Sequence, residues 1–166
     1  MRHVISILLQ NEAGALARVA SLFSTRGYNI ESLSVAPTED SHVSRLTLVS
    51  IGSDHVINQI NHQLFKLVDV VKIADMTLGD HIERELLLLK LRIPQEASTK
   101  VLEIMNQQKV RVLDDELANY TLELTGTVSQ LDDFVERVSH DAEVLTVVRS
   151  GPLAMARGRR ILGTTI

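Results

Sequence analysis

The chain has 166 residues, 45% of them apolar, with a net charge of −4 and a pI near 5.8. That length fits one medium domain or two small ones, and the acidic balance argues against a nucleic-acid partner, which usually requires a basic face. Cysteine and tryptophan are absent and only 3% of residues are aromatic, so disulfides, thiolate nucleophiles and cysteine-ligated metals are excluded and the core must be aliphatic.

Met1-Arg2-His3 is basic, but the apolar run behind it stops at Asn11-Glu12. That is too short for a signal peptide, and nothing approaches the ~20 apolar residues of a membrane helix. A soluble, cytoplasmic protein is expected. Val4–Leu9 reads as a strand, apolar and rich in β-branched residues. Leu16, Val19, Ala20 and Phe23 then fall at i, i+3, i+4 and i+7, one apolar face of a helix. Arg26 in its last turn and Gly27 just beyond are C-terminal signals. Tyr28–Ala36 is extended by composition, and Pro37 suits a strand end or an edge. Arg45–Val49 reads as a strand. Ser53 or Asp54 can cap the helix marked by Val56, Ile60 and Leu64, and Val68–Ala74 is a further strand.

The second half repeats the order. Leu86–Ile93 reads as a buried strand closed by Pro94, and Ala97, Val101, Ile104 and Met105 mark a helix face. Val110–Leu113 and Tyr120–Leu124 are short strands around the acidic turn Asp114-Asp115-Glu116. Thr127 or Ser129 can cap the helix lined by Leu131, Phe134, Val135 and Val138, and Val144–Val148 is the last strand. Strand, helix, strand, strand, helix, strand therefore occurs twice. The expected fold is α+β, two ferredoxin-like βαββαβ domains in tandem, divided near Leu78-Gly79-Asp80-His81 into residues 1–78 and 80–166. Several strands are apolar on both faces, so something should cover the face the helices leave bare, such as the other domain or another chain.

The stretch with chemical content is Gln10–Leu16. A strand ends in a polar, glycine-bearing turn that opens a helix. The first amides of a helix have no partner within it and carry partial positive charge, so such a turn can receive a carboxylate. The alternative is an ordinary strand-to-helix loop. Asn29, at the start of an expected edge strand, is either a turn residue tolerating positive φ or a neighbour of this loop in a second copy joined through edge strands. The six histidines form no close metal pair and are read as surface residues. No phosphate-binding loop, nucleophile elbow or paired acid–base carboxylates stand out. The same βαββαβ order serves RNA-recognition domains, but these stack bases on central-strand aromatics, and Val4–Leu9 and Arg45–Ser50 contain none. The Arg157–Arg160 tail is basic and is read as a solvated terminus or a contact for an acidic surface.

Asn11-Glu12-Ala13-Gly14-Ala15-Leu16-Ala17-Arg18-Val19 and Arg26-Gly27-Tyr28-Asn29-Ile30-Glu31-Ser32-Leu33-Ser34-Val35-Ala36 strongly resemble the N-terminal ACT domain of the acetolactate synthase (acetohydroxyacid synthase) small-subunit family. The similarity continues through Leu64–Val70 and Glu83–Leu86 to Arg149-Ser150-Gly151. The resemblance implies a regulatory subunit without catalysis or cofactor of its own. Thiamine diphosphate, Mg²⁺ and usually FAD would sit on a separate large catalytic subunit, which this chain activates and renders sensitive to valine or another branched-chain amino acid. It implies a homodimer through the N-terminal ACT domains, with effector between them. Asn11 would hold the effector's polar head, and the backbone at Ala13, Gly14, Ala15 and Leu16 its carboxylate. Asn29 and Ile30 of the neighbouring chain would close the site, and the second half would hold none. A free-standing tandem ACT sensor acting on another regulator shares the same pattern.

Overall fold

A computed structural model describes residues 1–159 and 161–163. It divides into two compact units, one of residues 1–82 and 152–166 and the other of residues 83–151.

In the first unit β1 (Arg2–Gln10), α1 (Ala15–Thr25), β2 (Ser32–Pro37), β3 (Val43–Ile51), α2 (Asp54–Leu64) and β4 (Val70–Asp75) follow in order. The sheet runs β2-β3-β1-β4, every pair antiparallel. β1 is central, and its Ile5, Ile7 and Leu9 alternate onto one face. The helices bury matching stripes against them: Ala15, Val19 and Phe23 from α1, and Ile57, Ile60 and Leu64 from α2. Each large side chain among these contributes roughly 1.5–3 kcal/mol by leaving water. At the end of α1, Gly27 adopts φ 70° and Tyr28 N–H returns to the Phe23 carbonyl at 2.9 Å, a left-handed helix stop that a side chain would strain. Ser53 caps α2, accepting from Val56 N–H.

β5 (His81–Arg92) runs into the second unit from residue 83, where α3 (Ser98–Gln107), β6 (Arg111–Asp114), β7 (Asn119–Gly126), α4 (Val128–Ser139) and β8 (Glu143–Arg149) complete the repeat, with sheet order β6-β7-β5-β8. Its core joins Leu87, Leu89 and Leu91 of β5 to Val101 and Ile104 of α3 and Leu131, Phe134 and Val138 of α4. Thr127 and Gln130 form a reciprocal capping box at the start of α4. Glu85, buried, receives Arg149 Nε and Nη2 at 3.1 and 2.7 Å and the Gly151 amide at 3.1 Å. Arg149 also reaches Asp132 at 2.6 Å, and these carboxylates raise the guanidinium above its ordinary pKa.

The structure departs from the sequence reading at two points, a missed strand and a buried histidine. The expected second domain runs from residue 80 onward, whereas by compactness residues 152–159 and 161–163 group with the first unit. The cause is the bare sheet face. Val4, Val49 and Met76 form a small core there with Ala154 of a further strand, β9 (Leu153–Ala156), which the sequence reading missed. Leu162 and Gly163 extend this cover, their carbonyls accepting from Arg45 and, at 3.2 Å, from Lys72. His3 is not a surface residue. It is 1% exposed, with Nδ1 3.2 Å from Asp75 and Nε2 3.4 Å from Asp54, carboxylates that offset the cost of burying an imidazole. Of the basic tail, Arg157 pairs with Asp80 at 3.0 Å, and Arg160 lies outside the described residues.

Candidate functional site

The turn between β1 and α1 is held open by its backbone. Asn11 N–H donates to the His42 carbonyl at 2.7 Å, and its side-chain amide to the Ser41 carbonyl at 2.9 Å. Both bonds fix the turn to the β2–β3 hairpin. Gly14 is the residue before the helix, at φ 87° and ψ −13°, and no side chain caps α1. A left-handed conformation disfavours any residue with a Cβ, and a Cβ there would also lie 2.9 Å from Arg18 Nη1. Ala15 N–H donates to the Glu12 carbonyl at 3.2 Å and Arg18 N–H to the Gly14 carbonyl at 3.0 Å. Among the described residues, the amides of Gly14, Leu16 and Ala17 have no backbone or side-chain acceptor. They are the open donors of this helix start, whereas the Ala15 amide, included in the expected carboxylate cradle, is engaged within the turn.

A cleft of about 230 Å³ adjoins the turn, lined by Asn11, Glu12, Ala15 and Leu16 on one side and Val35, Ala36 and Pro37 of β2 on the other, with Ser44 and Leu9 also on its wall. It lies below the ~300–1,000 Å³ of a complete small-molecule pocket. Asn11, Ala13 and Gly14 are exposed, Leu16 is half-buried and Ala15 is buried.

Asn29 and Ile30 do not reach this cleft within one chain. Ser32 is level with Val49 and Val4, and Pro37 with Ser44 and Leu9. The start of β2 therefore sits five residues, roughly 17 Å, from the level of the turn. Asn29 donates to Glu31 at 2.6 Å, and its carbonyl accepts from Ser50. Ile30 packs against the core. β2 is the sheet edge, and its Leu33 and Val35 are 37% and 42% exposed.

Two residues behind the turn were not anticipated. Arg18 donates through Nε and Nη2 to Asp69 at 2.5 and 2.7 Å. The Asp69 carboxylate is almost completely enclosed, and Arg18 holds its pKa below the usual carboxylate range by hydrogen bonding and charge. Arg18 could have drawn attention by its place four residues after Gly14. Its contact with Asp69, 51 residues on, has no local signal. Among the described residues, no three His, Asp or Glu side chains are grouped to hold a metal, and no helix is long and apolar enough to cross a membrane.

Four antiparallel strands under two helices, with a glycine-led helix start beside an edge strand, define a chain of the ACT regulatory class, here with the βαββαβ unit used twice. Residues 5–72 match the family described as the acetolactate synthase small subunit-like ACT domain, and residues 84–158 the family described as the small subunit of acetolactate synthase. The acetolactate synthase isozyme 3 small subunit of Escherichia coli (strain K12) is 41% identical over 98% of this chain and 99% of its own. The probable acetolactate synthase small subunit of Archaeoglobus fulgidus is 36% identical over 96% and 99%. The crystal structure of the small subunit from Thermotoga maritima superposes with a TM-score of 0.84 at 30% identity, covering 96% of this chain and 99% of that one. The chain belongs to the acetolactate synthase small-subunit family. Its role is regulatory, membership implies no cofactor in this chain, and a catalytic large subunit is its implied partner.

Proposed function

We propose that the Gly14 turn binds valine, or another branched-chain amino acid, and that binding lowers the activity of the catalytic large subunit. The observation that carries this reading is the uncapped start of α1, with the amides of Gly14, Leu16 and Ala17 open beside an aliphatic cleft. The effector's carboxylate meets the helix start. Its aliphatic side chain lies against Leu16, Ala15 and Val35, and Asn11 carries the polar head. Ala13 supports the turn as backbone.

The site is completed by a second copy. Antiparallel pairing of β2 with β2 of a two-fold partner brings the beginning of one strand beside the end of the other. Asn29 and Ile30 of the partner then approach this chain's Pro37 and the cleft that Pro37 lines. The exposed apolar edge of β2 supports that pairing. Residues 1–82, in this reading, provide effector binding and dimerisation. Thiamine diphosphate, Mg²⁺ and FAD belong to the large subunit, and the assembly works in the cytoplasm. Discrimination between valine and leucine by one methylene amounts to about 1–3 kcal/mol, and coupling between effector and catalytic subunit to about 1–3 kcal/mol.

Reconstitution with purified catalytic subunit tests the reading. The chain alone is expected to have no acetolactate activity, and its addition to raise turnover and make it valine-sensitive. Gly14→Asp is expected to abolish inhibition while most activation survives. Unaltered turnover on addition of the chain, or unaltered valine inhibition in the variant, contradicts the reading.

A further inference from the structure

We propose that the turn following α2, residues 65–68, is a docking surface for the catalytic large subunit. Phe65 is 61% exposed and Val68 83% exposed, although the flanking Leu64 and Asp69 are 0% and 2% exposed. Lys66 is exposed between them. Two large apolar side chains presented together beside a cation form the kind of patch that marks a protein contact, with an aromatic anchor suited to a pocket on the partner. The matching surface is an apolar socket with a carboxylate at its rim for Lys66.

Two features of the fold identify the occupant. The turn leads into β4, and β4 lies at the end of the sheet opposite β2. A second copy seated on β2 therefore leaves this turn uncovered. The turn is also tied directly to the Gly14 loop. Asp69, its next residue, accepts Arg18 through both carboxylate oxygens, and its carbonyl accepts Gln10 N–H at 2.8 Å. Arg18 Nη1 lies 2.9 Å from the position a Cβ on Gly14 would take. Arg18, whose N–H donates to the Gly14 carbonyl at 3.0 Å and whose guanidinium holds Asp69, thus links the helix start to the exposed turn. A surface so coupled belongs to the partner whose activity the effector must change. The inference rests on the regulatory reading above and assigns the surface through which it acts.

The test compares the full chain with the Phe65→Ser, Val68→Ser double variant and with Ile51→Ser, a control at an apolar residue 62% exposed at the end of β3. Affinity for purified catalytic subunit, activation of that subunit, valine binding by calorimetry and self-association by sedimentation are measured for each. The double variant is expected to bind the catalytic subunit about tenfold more weakly or worse and to lose activation at concentrations where the wild-type chain saturates. Its valine binding and self-association, and every property of the control, are expected to match wild type. Wild-type affinity and activation in the double variant overturn the assignment. Weakened self-association in it also overturns the assignment, because the patch is then an interface between copies. A wild-type chain that neither binds nor activates the catalytic subunit overturns the regulatory reading together with the patch. Should the double variant not fold, Lys66→Glu tests the same patch, with binding expected to weaken at low salt and to recover as salt screens the reversed charge. Unchanged affinity of Lys66→Glu at low salt overturns the patch.

Discussion

At the residue scale the account turns on Gly14. Its φ of 87° and the guanidinium 2.9 Å from a would-be Cβ mean that even alanine is strained there. Gly14→Ala is expected to lower stability by about 1 kcal/mol and to weaken valine inhibition, read by thermal melting and by the reconstituted assay. Asp69 makes a second, pH-linked prediction. Hydrogen bonding to Arg18 depresses its folded-state pKa, so the unfolded chain binds its proton more readily. The stabilisation is therefore present above the ordinary carboxylate range, ~3.9, and is lost as pH falls through the depressed folded value. Denaturant titrations from neutral to acid pH should show a shallower loss of stability in Asp69→Asn than in wild type. The Asn11–Leu16 turn was legible in the sequence because a strand end, a polar pair and a glycine are local signals. The Arg18–Asp69 pair and the burial of His3 were not, because their partners arrive from distant strands.

At the scale of elements, the helices were readable from their apolar stripes, and the structure resolves their open caps in favour of Ser53 and Thr127. Thr127→Ala removes one half of a capping box and is expected to cost about 1 kcal/mol, checked by thermal or denaturant unfolding of the full chain. β2 is the element on which assembly depends in this account. Val35, 42% exposed on that edge strand, is where a charge would interrupt pairing between copies. Val35→Asp is expected to shift the chain towards monomer in sedimentation and to weaken valine binding with it. β9 escaped the sequence reading because Leu153–Ala156 is four residues long, follows Pro152 and carries two alanines where β-branched residues would announce a strand. It covers the apolar outer face of β1 and β3 through Ala154, which packs with Val4, Val49 and Met76.

For the whole molecule, the doubled βαββαβ order was plain in the sequence, and the assignment of residues beyond 152 was not. The repeat is a local pattern, whereas those residues are claimed by a hydrophobic face formed earlier in the chain, around Val4, Val49 and Met76. The same limit applies to the site. In the proposed site one chain supplies the Gly14 turn, its own Asn29 and Ile30 lie about 17 Å away along the sheet, and a second copy would bring the two halves together. Calorimetric titration of valine into a mixture of Gly14→Asp and Asn29→Ala chains tests this most directly. Each variant alone is expected to bind valine weakly or not at all, while mixed dimers regain one site built from two unaltered halves and so recover binding. Wild-type affinity in either variant alone, or a folded, dimeric mixture that stays silent to valine, contradicts a site shared between two copies.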